Sequence, residues 1–261
     1  MSAVYNAISL TKFASTLARI IGVEQPQCAD SPIDDFNEII NNSIDRVMIY
    51  NPDAIGMWLY QKYYTDFLTV LKHAPLCVPF QAVMPSKTPV CFATMYTGVL
   101  PAVHGIQSYT KPVVKTDSLF DSLIRAGKKV ALVVVEASSM SKIFAEKDMD
   151  YYIMDYDKQV KEKALELIKA NEYDFISIYT QEYDDVMHKT GPESSESLQA
   201  LRNQIEIFDE LAGAIETYWE KHRSLITFSP DHGVHLVNDG TGTHGTDMPE
   251  DLNILHFFGV K

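Results

Sequence analysis

A chain of 261 residues with 46% hydrophobic content can bury one large α/β core or two small ones, which excludes a disordered chain. Acidic residues outnumber basic ones by 35 to 22, for a formal charge of -13. That balance argues against a nucleic-acid duplex as partner, because neutralising phosphates takes clustered Lys and Arg. Cys28, Cys77 and Cys91 are odd in number and widely spaced, so neither a disulfide framework nor a thiolate zinc site is implied, and the chain reads as cytoplasmic. No basic-then-apolar leader opens the sequence and no run reaches the roughly 18 apolar residues of a span, so no membrane partner is expected.

In chain order, "RVMIY" at 46–50 predicts a strand and "MWLYQKYYTDFLTVLKH" from 57 a helix. Strand "VPFQAV" follows at 78–83, then a short helix within "SKTPVCFATMYTG" at 86–98, a helix in "SLFDSLIRAG" from 118 and strand "KVALVVV" at 129–135. The segment 136–157 reads as a small excursion over the sheet. Beyond it come helix "KQVKEKALELIKANE" from 158, strand "DFISIYT" at 174–180, a long helix from 196, and strands "SLITFS" at 224–229 and "ILHFF" at 254–258. Asp117 or Ser118 and Ser194 or Ser195 are plausible helix caps, and Gly127 a helix stop. The alternation predicts one α/β domain over 1–261, with a mostly parallel sheet and helices on both faces.

In such a sheet, ligands gather beyond the carboxyl ends of the strands. After the strands at 46–50, 174–180 and 224–229 come Asp53, then Asp184, Asp185 and His188, then Asp231 and His232; "GTGTHGTD" at 240–247 adds His244. Each has a bland reading alone: a turn former beside proline, an i, i+4 surface pair, a turn, a flexible loop. Together, three histidines and three aspartates make a ligand set suited to zinc or manganese, and they admit two sites of three protein ligands each. His256 reads as a core residue, His73 and His222 as helix ends, and His104 and His235 as non-ligands.

The stretch at 86–98 offers Ser86, Thr88, Cys91, Thr94, Tyr96 and Thr97 as hydroxyl or thiol groups. With Pro89 as first helical residue, Thr88 is the expected N-cap, facing the amides of Val90 and Cys91. The same helix end attracts phosphate. A hydroxyl there, its pKa lowered by a metal, can attack phosphorus. Thr94, Tyr96 and Thr97 read as packing and termination before Gly98.

"YNPDAIG", "PSKTPVCFATMYTGVLPAVHGI", "YTQEYDDVMHKTGP", "SPDHGV" and "GTHGTD" resemble, in this order, the signature blocks of the alkaline phosphatase superfamily, closest to its type I phosphodiesterase and nucleotide pyrophosphatase branch. The resemblance implies an alkaline-phosphatase-like core and a hydrolase of phosphoric esters, diesters above monoesters, acting on a small phosphorylated substrate through a phospho-threonine intermediate. It implies two metal ions, zinc or alternatively manganese: one held by Asp184, His188 and His244, the other by Asp53, Asp231 and His232, with Thr88 beside it as nucleophile and ligand.

Cys91 departs from the pattern, standing where that branch usually has an asparagine that donates to a phosphate oxygen, so it is at most a weak substrate contact. Nor is it a sulfatase-type nucleophile, since "CFATM" lacks C-x-P-x-R. Phosphomonoesterase or phosphomutase-like transfer is one alternative. A protein that binds metal or a phosphorylated ligand without turnover is another.

Overall fold

The structure, a computed structural model, describes residues 3–34, 36 and 44–261. Its frame is an eight-stranded sheet, built from β1 (Ile8–Ser9), β2 (Arg46–Pro52), β3 (Leu76–Gln81), β4 (Val130–Val135), β5 (Asp150–Met154), β6 (Phe175–Thr180), β7 (Ser224–Phe228) and β10 (Asn253–Val260). Between β7 and β10 a small ribbon pairs β8 (His235–Leu236) with β9 (Gly242–Thr243). The strand order is β1-β3-β10-β7-β2-β6-β4-β5. All pairings in the main sheet are parallel except those of β10, which lies antiparallel to both β3 and β7.

The central strands are buried on both faces, which is why they read as unbroken apolar runs. Their side chains still alternate between two cores. Val47 and Ile49 of β2, with Val130, Leu132 and Val134 of β4, join a cluster on one face; Met48, Tyr50, Ala131, Val133 and Val135 join the other. The first core is covered by α1 (Lys12–Ile21), α4 (Thr88–Thr97), α6 (Leu119–Arg125) and α7 (Ser139–Ile143). The second is covered by α2 (Met57–Lys62), α3 (Leu68–His73), α8 (Asp157–Ala170), α9 (Glu182–Thr190) and α10 (Ser195–Tyr218). Two single turns, α5 (Pro101–His104) and α11 (Pro249–Leu252), complete the helices described. None among the described residues is long and apolar enough to cross a membrane.

Ser118 forms a full capping box with Asp121, Ser194 caps α10, and Gly127 adopts a left-handed φ of 70°. Two expectations need correction. The helix predicted from 57 to 73 is two helices, broken at "YYTD", where aromatic and β-branched side chains hold helix poorly and Tyr63 turns out to meet Glu193. The segment 136–157 is not an excursion over the sheet: it contributes α7 and then edge strand β5, which pairs with β4 from Ala131 to Val135. Its partly exposed "DYYIM" carries too little apolar alternation to announce a strand.

Candidate active site

The carboxyl ends of β2, β6 and β7 lie side by side in the sheet, so whatever follows them is brought to one place. Asp53 directly follows β2, and its amide donates to the Thr180 carbonyl at the end of β6 (3.0 Å). Ala54 then turns with φ 67°, and its amide donates to Asp231 Oδ1 (3.3 Å) beyond β7. Asp184 and His188 sit one turn apart on α9. His244 comes from the loop after β9.

Two groups of possible ligands result: Asp53, Asp231 and His232, all buried, and Asp184, His188 and His244, of which only His244 is buried, with the ligand atoms of each group within 4.8 Å of one another. In the first, His232 Nε2 is 3.4 Å from Asp53 Oδ1 and 3.3 Å from Asp231 Oδ2. In the second, Asp184 Oδ1 is 3.4 Å from His188 Nε2 and 3.5 Å from His244 Nε2. The rings of His232 and His244 stack at 4.0 Å, which joins the two groups.

The outer nitrogens of these histidines settle what the inner ones offer. Nδ1 of His232 donates to the Gly233 carbonyl (3.0 Å), Nδ1 of His244 to Ser86 (2.6 Å), and Nδ1 of His188 to Gly242 (2.9 Å). A neutral imidazole with its proton on Nδ1 points a lone pair from Nε2. In each group that lone pair faces carboxylate oxygens, an arrangement that repels unless a cation lies between them. Asp53 Oδ1, Asp231 Oδ2 and Asp184 Oδ1 are indeed among the buried polar atoms with no hydrogen-bond partner. The residues therefore fit two cations. Gly233 and Gly242 are needed to let the backbone approach, since a Cβ would stand 2.0 Å from the Glu250 carbonyl oxygen in one case and 2.6 Å from Met187 Sδ in the other.

Without a cation the site works against its own charges. Burial, then the neighbouring Asp231, pushes the Asp53 carboxyl well up, and burial pushes Asp231 up to about 8. Burial, then His244, pulls the His232 imidazole well down, and burial lowers His244 also. The more exposed His188 is raised, because with no cation present the Asp184 carboxylate beside its Nε2 favours the protonated ring. A divalent ion reverses the preference of the buried carboxyls, takes the place of that proton at His188, and uses the neutral rings of His232 and His244 as they are.

Thr88 lies between these groups and open space. It is the first residue of α4 and not its cap: Lys87, extended at φ -120°, ψ 138°, precedes the helix, and its carbonyl takes the Val90 and Cys91 amides at 2.9 Å each. Those amides being satisfied, the Thr88 hydroxyl is free of the backbone, and its Oγ1 lies 3.3 Å from His232 Nε2. The other five candidates of the stretch have partners elsewhere. Ser86 Oγ accepts from Gly245, Thr94 meets His104, Tyr96 meets Ser177, and Thr97 donates to the Ala93 carbonyl. Cys91 is fully buried, its thiol directed at the Val83 carbonyl (3.9 Å), and it does not line the cavity over Thr88.

That cavity, of ≈ 210 Å³, is lined by Thr88, Asp53 and Asp184 together with groups that sequence reasoning missed, chiefly Tyr179, Tyr109 and Lys111. Tyr179 OH donates to Asp53 Oδ2 at 2.5 Å. Its place near the end of an apolar strand was the only signal. His73, His104, His222, His235 and His256 lie outside both ligand groups; His256 is buried and Nε2 donates to the Pro230 carbonyl.

The sequence profile of type I phosphodiesterases / nucleotide pyrophosphatases matches residues 51–255. Comparison with curated protein sequences finds no match. Among solved structures, an inactive variant of murine ectonucleotide pyrophosphatase / phosphodiesterase 5 in complex with AMP is similar with a TM-score of 0.56 and 16% identity, over 75% of this chain and 59% of that one. The human ectonucleotide pyrophosphatase / phosphodiesterase 5 gives 0.55 and 18%, over 74% and 58%. Phosphonoacetate hydrolase from Sinorhizobium meliloti in complex with phosphonoformate gives 0.54 and 17%, over 75% and 58%. At these identities the likeness is one of fold, and this chain spans under three fifths of their length. The profile match takes in Thr88 and all six ligand candidates, and the chain belongs to the type I phosphodiesterase / nucleotide pyrophosphatase family.

Proposed function

We propose that this chain is a metal-dependent phosphoric-ester hydrolase, with diesters or nucleotide anhydrides as its class of substrate and Thr88 as its nucleophile. The observation that carries the reading is the Thr88 hydroxyl, 3.3 Å from His232 at the floor of a cavity shared with Asp53 and Asp184, beside carboxylate oxygens that lack partners. Asp53, Asp231 and His232 would hold one cation and Asp184, His188 and His244 the other; zinc suits this donor set best, and manganese is the alternative. Such a pair supplies Lewis-acid polarisation of phosphoryl oxygens and a lowered pKa for a hydroxyl nucleophile.

Thr88 Oγ1 attacks phosphorus as the bond to the leaving oxygen breaks, and the hydroxyl proton ends on the leaving alcohol or phosphate. Water then cleaves the phospho-threonine, restoring the Thr88 hydroxyl and releasing the second product. The three carbonyls that hold the Nδ1 protons keep the imidazoles in one tautomer throughout. Small phosphorus ligands suit the cavity, in keeping with the AMP and phosphonoformate complexes of the structural neighbours. Phosphomutase-like transfer fits less well, because the chain between Thr88 and Asp184 builds β4, β5 and β6 of the main sheet.

Thr88→Ala provides the test. Turnover of bis(4-nitrophenyl) phosphate should fall at least ~10³-fold while elemental analysis finds the metal content of the wild type. Retention of activity within about tenfold would remove Thr88 from the mechanism. A wild type inactive on every phosphate ester, yet metal-loaded, would mark a binding protein instead.

A further inference from the structure

Among the described residues, Lys111 is the one cationic side chain lining the cavity over Thr88, where Asp53, Asp184, Asp185 and Glu136 also open. In a chain with 35 acidic and 22 basic residues, a lysine in such company is expected to be neutralised by one of them. It is not: among the described residues no carboxylate comes within ion-pair distance of its Nζ, although ten other lysines make such pairs. Instead Nζ donates to the Ala137 carbonyl at 2.9 Å and lies 5.3 Å from the centre of the Tyr109 ring.

Both partners are neutral, so the full charge remains available, and an ammonium has three protons of which the carbonyl takes one. The carbonyl is aimed by an unusual turn: Ala137, between β4 and α7, has φ 57°, a conformation costly for any residue but glycine. Asp185, the acid that could have swung toward the cavity, is engaged by Tyr156 OH at 2.8 Å and Gln181 Nε2 at 3.1 Å.

Two divalent cations would outweigh the three carboxylates that ligate them, Asp53, Asp184 and Asp231, by one positive charge, which suits one phosphoryl group. Lys111, paired with none of the cavity's carboxylates, places a second cationic centre in the same small space. We infer that Lys111 is a specificity residue that binds a second anionic group, a carboxylate or a further phosphate, carried by the same small phosphorus compound. The inference rests on the phosphoryl-site reading above.

The test compares ligands that differ only in that second charge. Dissociation constants for methylphosphonate, phosphonoacetate and methylenediphosphonate are measured by calorimetry on zinc-loaded wild type, Lys111→Met and Lys111→Arg. Metal content and unfolding midpoint show that each variant is intact. Wild type should bind at least one of the two-charge compounds about 10- to 100-fold tighter than methylphosphonate; Lys111→Met should erase that ratio and Lys111→Arg restore most of it. Which compound loses affinity tells a carboxylate from a phosphate. An unchanged ratio in Lys111→Met, or no preference in the wild type, overturns the role of Lys111 alone. If methylphosphonate is not bound and bis(4-nitrophenyl) phosphate is not cleaved, the underlying reading of the site falls, and this inference with it.

Discussion

The two oxygens of Asp53 have different duties. Oδ2 takes the proton of Tyr179 at 2.5 Å, and that bond turns Oδ1 toward His232 Nε2, where it has no partner of its own. Tyr179, packed edge-on against Phe92, thus positions a candidate ligand. Tyr179→Phe keeps the packing and removes the proton. It should weaken the cation on Asp53, Asp231 and His232 by about 10- to 100-fold and leave the other site unchanged, so chelator titration should become biphasic; a titration like that of the wild type would reduce Tyr179 to packing. Asp53, Asp184, His188, Asp231, His232 and His244 were nameable as candidates from sequence because each falls in a short polar block, all but His244 in one that follows a predicted strand. Tyr179 and Lys111 were not, since neither a tyrosine in an apolar strand nor a lysine in a long loop breaks any pattern, and their roles come from which atoms the fold brings within reach.

Between residues and the whole fold stands the joint that sets α9, the helix of Asp184 and His188. Asp157, at the start of α8, accepts the amides of Gln181 and Glu182 at 2.9 to 3.2 Å and Gln204 Nε2 at 3.0 Å, which caps α9 from a neighbouring helix. Burial pushes its carboxyl up to about 6, the three donors opposing. An unfolded aspartate titrates near ~3.9, so between about pH 4 and 6 the folded protein holds more of this proton than the unfolded chain does. The group's contribution to stability therefore falls as pH rises through that window and is level above it. The fall is on the order of 2–3 kcal/mol. Denaturant unfolding at pH 4 and pH 7 should show it in wild type and lose it in Asp157→Asn; equal pH dependence in both would refute it. Helices and strands as elements were legible through their periodicity, Ser118 and Ser194 through cap chemistry. The start of α4 was misplaced by one residue because proline marks the first turn without saying which of two positions it holds.

For the molecule as a whole, the buried carboxylates without partners are a standing cost that cations would offset. Zinc at about 100 times its dissociation constant should add about 2.7 kcal/mol per site. For a chain of this size that is on the order of 5–10 °C in Tm. Thermal unfolding with zinc and with a chelator checks it, and coincident midpoints would argue that the two groups hold no metal. The overall α/β architecture could be read in advance, but the direction of β10 could not, because a strand's hydropathy pattern is the same read either way. The place of that strand has a consequence for synthesis. β10 lies between β3, whose following loop leads to Thr88, and β7, whose following loop carries Asp231 and His232, and it is hydrogen-bonded to both. A nascent chain halted before residue 253 already contains Thr88 and every metal-ligand candidate, yet it has no strand to join the β1-β3 edge to the rest of the sheet. Competence at this site should therefore appear all at once, and only after residues 253–260 have left the ribosome.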